Sequence, residues 1–166
     1  MVEAKDQAAD QDGEIQPVDP RSLARLYAVQ ALYQIELSDQ SADHVIADFK
    51  DRGFSVGDGD VSGEPDTDLF TTLVVTASSE RPRLDALIDK ELSTGRSSGN
   101  LEALLGIILR CGAGELLAGR NIPASVTINE YVDIAHAFYG GREPALVNGL
   151  LDTIAKALQA KGGISE

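Results

Sequence analysis

Val126–Asp152 reads VTINEYVDIAHAFYGGREPALVNGLLD, and it holds one of the chain's two histidines, four carboxylates and a Gly-Gly pair. Such a set could line a catalytic cleft, but the spacing points elsewhere. Thr127 followed three positions later by Glu130 has the form of a capping box. Val126 and Tyr131 have the spacing of a hydrophobic staple, so a helix is predicted to start at Thr127. Ile128, Tyr131, Val132, Ala135 and Phe138 recur at helical spacing as its inward face, and Gly140-Gly141 stops it. Pro144 then suits the first turn of a last helix, whose Leu146, Val147, Leu150, Leu151, Ile154 and Leu158 recur every three or four residues. The stretch is two amphipathic helices turning a corner.

Outward from that corner the same period recurs. PRSLARLYAVQALYQIELSD carries Leu23, Leu26, Tyr27, Val29, Leu32, Tyr33 and Leu37 behind Pro20, which predicts a helix ending near Ser38. Ala42 to Lys50 forms a shorter one, closed by Gly53. DTDLFTTLVVTASS is ambiguous, with strand propensity and helix-compatible spacing together, and Asp66 or Thr67 is available as a cap. RPRLDALIDKELS is a helix with Pro82 in its first turn. NLEALLGIILRCGAGELLAG is apolar on more than one face and is expected at the centre of the fold. Its Gly106, Gly112 and Gly114 each cost helix propensity, which predicts a kink or the close approach of another helix. Seven helical segments without a convincing strand give an all-α bundle, read as one domain from residue 20 to 166. Residues 1 to 19 are too poor in apolar side chains to offset ordering entropy and are expected to be a disordered acidic tail.

The 166 residues carry a net charge of -13, spread unevenly. Residues 21 to 80 hold eleven acids and four bases, whereas residues 81 to 166 hold ten and nine, so the body is closer to neutral than the total suggests. This charge opposes nonspecific phosphate binding but leaves room for a local basic patch. No apolar run is long enough to span a bilayer. The N-terminus lacks the positive region and apolar run of a secretory signal, and cytoplasmic residence is expected. The single cysteine, Cys111, has apolar neighbours and reads as a small core residue.

Few residues suggest chemistry. His136 shares its helix with Glu130 and with Asp133, three positions before it, but a metal site normally needs three or four ligands, the only other histidine is His44 with no shared motif, and a solvated helix face is the better reading. Asp58, Asp60, Ser62, Gly63 and Asp66 match part of an EF-hand loop, yet Leu69 stands where the bidentate Glu belongs; an acidic insert is expected there. Phosphate-cradling, dinucleotide and nucleophile-elbow motifs are missing, and no catalytic residue, metal or cofactor is assigned. Arg21 and Arg25, one helical turn apart beside Ser22, are candidate phosphate contacts. Tyr33, two turns beyond Arg25, either stacks on a base or fills the core.

Three stretches taken together resemble one family. AVQALYQIELS (Ala28 to Ser38), ILRCGAGELL (Ile108 to Leu117), and IPASVTINEYVDIA (Ile122 to Ala135) followed by LVNGLLD (Leu146 to Asp152) are similar in order and spacing to the transcription antitermination factor NusB. The resemblance runs from about Arg21 to Leu158. It implies an all-α NusB-like bundle of two packed helical subdomains and a non-enzymatic role. The implied role is to bind the boxA element of ribosomal RNA leader transcripts together with the ribosomal protein NusE, within the antitermination complex of RNA polymerase.

The resemblance also assigns RNA contacts. Arg21 and Arg25 fall in the family's arginine-rich opening helix, Tyr33 in its AVQALY run, and Leu146 where an aromatic residue is usual near the RNA path. Leu104, Leu105 and Gly106 occupy a stretch that is often charged in relatives and lies near the partner surface; exposed, they would alter docking or support a homodimer. The alternative reading is an accessory NusB-like domain or a homodimeric regulatory scaffold without independent RNA binding.

Overall fold

The computed structural model describes residues 18–54, 63–92, 99 and 101–161. The expected acidic tail, up to residue 17, and most of the EF-hand-like loop lie outside these residues. Seven helices follow in order: α1 (Pro20–Leu37), α2 (Ala42–Arg52), α3 (Thr67–Ser79), α4 (Arg81–Glu91), α5 (Ala103–Ala118), α6 (Ala124–Phe138) and α7 (Glu143–Ala160). The described residues contain no strand. None of these helices is long and apolar enough to cross a membrane.

Side-chain caps account for the starts of the first three helices. Asp19 caps α1, its Oδ1 accepting from the amides of Arg21 at 2.8 Å and Ser22 at 3.4 Å, with Pro20 in the first turn. Ser41 caps α2 by accepting from the His44 amide at 3.1 Å. The ambiguous stretch around Phe70 is a helix, and Asp66 decides it by accepting from the Leu69 amide at 2.9 Å. Gly119, at φ 59°, closes α5 in the left-handed conformation that glycine tolerates.

The helices form two groups around one hydrophobic core. α1, α2 and α3 pack on one another; α5, α6 and α7 do the same, with α4 against α5 and α7. α1 and α3 both lie on α5, which joins the two halves. Buried side chains run along nearly all of α5, from Leu105 to Leu116, as its apolar circumference requires. Gly112 is where another helix comes close: a Cβ there would meet Leu151 Cδ1 of α7 at 2.8 Å and Tyr131 Cδ2 of α6 at 3.2 Å. Gly114 would make ordinary contact with Leu84 and Thr76, while Gly106 has nothing within 4 Å and no packing reason to be glycine. In the first group, Tyr27, Phe49, Phe54 and Phe70 form an aromatic cluster with ring centroids 5.0 to 6.4 Å apart.

Four local expectations are corrected. α6 starts at Ala124, after Pro123, and so Thr127 is already inside the helix and caps nothing. Its hydroxyl turns to Glu115 on α5, and Glu130 reaches α1 instead of its own helix end. Tertiary partners therefore took both members of the apparent capping box. Val126 is 45% exposed, so the staple is absent as well. Phe138 and Leu37, assigned to inward faces, are 46% and 68% exposed. Each is the last residue of its helix; beyond Phe138 it is Tyr139 that packs against the core and bonds Glu102. Finally, Leu104 and Leu105 do not make an outward greasy patch, since Leu105 is buried and Leu104 packs against the core.

Candidate nucleic-acid interface

The first two turns of α1 carry the expected cations, and the fold separates them. Arg21 is exposed, and among the described residues no carboxylate pairs with its guanidinium. Arg25 is only 1% exposed. Its Nε donates to Glu115 Oε1 at 2.9 Å and its Nη2 to Glu115 Oε2 at 2.8 Å, a fork-to-carboxylate pair between α1 and α5. Its Nη1 faces Glu130 of α6 at 3.6 Å. Burial alone would lower the guanidinium's pKa, but the bond to Glu115 and the charges around it outweigh that, and the net shift is upward. Arg25 is thus withdrawn as a surface contact. It stands in helical register with Ala28, Val29 and Leu32, all buried, and that register turns it inward.

The Glu115 carboxylate is the centre of this buried network. It accepts further from Thr127 Oγ1 at 2.9 Å and from Tyr131 Oη at 3.0 Å. Cys111 Sγ lies 3.3 Å from the same tyrosine oxygen. The tyrosine's single O–H donates to the carboxylate, so in the contact with Cys111 the thiol donates to the tyrosine oxygen. Burial pushes the Cys111 thiol up to about 12. Sequence reasoning missed Glu115 and read Glu130 as a capping acid of its own helix, although for Glu115 a signal was available: a lone acid inside the apolar run of α5 has to be paired when buried.

Tyr33 is 38% exposed on the second half of α1, and Leu37 follows one turn later. Twelve residues separate Arg21 from Tyr33, about 18 Å along the helix axis. Leu146 sits near the start of α7, partly buried and packed against the core. Arg142, exposed, precedes it by one turn as the N-terminal cap residue of α7. α6 packs on both α1 and α7, so the structure puts Arg21 and Tyr33 on one helix and Leu146 on another, not in a single pocket. His136 and Asp133 are exposed on α6.

The remaining arginines near the far end of α1 are already engaged. A cleft of about 260 Å³ is lined by Glu36, Arg81, Asp85, Glu102 and Arg110 among others. There Arg81 grips Glu36 at 2.7 and 3.1 Å, and Arg110 Nε donates to Asp85 at 3.1 Å. A surface built from paired charges offers an anion little, which leaves Arg21 as the marked cation of α1.

Comparison with known proteins bears on this arrangement. The NusB family model matches residues 22–156. The transcription antitermination protein NusB of Caulobacter vibrioides is 41% identical over 143 residues, covering 84% of this chain and 94% of the relative. That of Nitrobacter hamburgensis is 39% identical over 141 residues, covering 84% and 88%. Among solved structures, T. maritima NusB superposes with a TM-score of 0.68 at 26% identity, covering 83% of this chain and 92% of that one. A complex of the antitermination factors NusB and NusE with dsRNA contains a similar chain, with a TM-score of 0.67 at 23% identity and coverage of 82% and 96%. The helices that place Arg21, Tyr33 and Leu146 all fall within the matched region or at its edge, and the chain belongs to the NusB family.

Proposed function

We propose that the chain is the RNA-binding subunit of transcription antitermination, recognising the boxA element of ribosomal RNA leaders together with NusE within the RNA polymerase antitermination complex. The observation that carries this reading is the family match over residues 22–156, which spans the helices from the first turn of α1 to the later turns of α7. Exposed Arg21 supplies a phosphate contact, and half-exposed Tyr33 supplies a face on which a base stacks. Leu146 contributes an apolar edge near the RNA path. Arg25 serves as an internal strut. The reading requires no catalytic group or cofactor, and the acidic body suits a basic protein partner, whose approach it steers.

Fluorescence anisotropy with a labelled boxA oligonucleotide tests it. The chain and NusE together are expected to bind more tightly than either alone, and more tightly than a scrambled strand or a duplex of the same length. Equal binding by NusE alone overturns the proposal. Persistence of an unchanged homodimer in sedimentation, with RNA and NusE both added, supports the scaffold reading instead.

A further inference from the structure

The INE motif at Ile128–Glu130 holds a carboxylate that neither the core nor the proposed RNA contacts absorb. Glu130 is on α6, and its side chain is 26% exposed. Both its oxygens lie 2.9 Å from Ser22 Oγ, which donates to it from the first turn of α1. Arg25 Nη1 approaches the same carboxylate at 3.6 Å. Ser22 is the residue immediately after Arg21.

Two physical features give this contact a role. The N-terminal end of a helix carries a partial positive charge, so acids stabilise it and cations do not. The first turn of α1 has no acidic residue, and it carries Arg21 and is followed by Arg25. Glu130 adds, from α6, a second carboxylate to the one that Asp19 places at the cap. Helix ends also fray. Asp19 holds the amides of this turn, and the Asp66 amide donates to Pro20 O at 2.9 Å on the α3 side; Ser22 to Glu130 is the tie on the α6 side. Ser22 and Arg25 both face the carboxylate, the hydroxyl donating to it and the guanidinium 3.6 Å away, so Glu130 is held against α1 from two positions of that helix.

We infer that Glu130 is a positioning residue for RNA binding: through Ser22 it fixes the first turn of α1 in the orientation that presents Arg21, without touching RNA itself. This rests on the reading that Arg21 contacts RNA. A double-mutant cycle separates the two. With the full chain, NusE and a boxA oligonucleotide, Arg21→Ala and Glu130→Ala are each expected to weaken binding about tenfold, within the range for coupled neighbours. In the Arg21→Ala background, Glu130→Ala is expected to have no further effect.

Glu130→Gln keeps an acceptor for Ser22 and is expected to restore most of the affinity, while Ser22→Ala is expected to reproduce the loss with a smaller risk to folding. Amide exchange at residues 21–23 should be faster in Glu130→Ala than in the parent, at a temperature where every variant is folded. Full additivity of the two substitutions, or undiminished affinity in both Glu130→Ala and Ser22→Ala, overturns the inference while leaving the Arg21 contact standing. No effect of Arg21→Ala overturns the Arg21 contact, and the inference with it.

Discussion

Arg25 and Arg21 differ by one helical turn, yet they have different chemistry because one faces α5 and the other faces solvent. Removing one partner of a buried, fully bonded ion pair leaves the other charge stranded. Arg25→Ala, or Glu115→Ala, is therefore expected to cost about 3–5 kcal/mol of folding stability. Urea denaturation checks this; a cost below about 1 kcal/mol would show that the pair is not buried in solution. Arg21→Ala should leave the unfolding midpoint nearly unchanged, as surface substitutions do. Cys111 gives a second test at this scale. With its thiol pushed up to about 12 from 9.0, it is expected to resist a thiol-specific reagent at pH 8 in the native protein and to react fully in denaturant. The raised value also means that the thiol contributes stability that is complete below pH 9 and is lost as the pH climbs from there towards 12. Rapid native-state labelling would contradict the burial.

At the scale of elements, α5 shows how glycines of one helix differ in meaning. A methyl group at position 112 collides with Leu151 and Tyr131, so Gly112→Ala is expected to destabilise the fold by about 1–3 kcal/mol. At position 106 there is open space, and Gly106→Ala is expected to stabilise by about 0.5–1 kcal/mol through helix propensity alone. Denaturation midpoints of the two variants should move in opposite directions; movement in the same direction would contradict the α5–α7 approach. The periodicity of α1, α2, α4, α5 and α7 made these helices legible before any coordinates. α3 was not, because its Leu, Phe, Val and Thr residues suit a half-buried strand as well as a helix, and only the Asp66 cap with the packing against α1 and α5 settles it. The start of α6 was misread for a related reason. A capping box is a local pattern, and Thr127 and Glu130 found stronger partners on other helices.

For the molecule as a whole, charge sets both the acid response and the salt response. The bond from Arg81 holds the Glu36 carboxyl below the usual glutamate range, against the opposing effect of burial. Its folded value is depressed, so its stabilisation is present above the ordinary glutamate pKa and fades as the pH falls below it towards the folded value. Glu36→Gln is accordingly expected to give a shallower loss of thermal stability with acidification below about pH 4.5. An unchanged acid limb would show that this exposed pair contributes nothing measurable. RNA binding should depend only weakly on salt, because Arg25 is out of reach. Replacing Arg21 should flatten the log-log salt slope by about 0.7, the contribution of one phosphate on a single strand. An unchanged slope would remove Arg21 from the RNA surface.

The sequence by itself determined every helix but α3, the central place of α5 and the family, since apolar period, prolines and glycines act over a few neighbouring residues. It also carried, unread, a hint about Arg25, which stands in register with Ala28, Val29 and Leu32. Only the tertiary structure decided which polar groups meet. Ninety residues separate Arg25 from Glu115, and 108 separate Ser22 from Glu130. Whether a charged side chain becomes a ligand contact or an internal strut depends on the carboxylate that packing brings to it, and no local pattern records that distance.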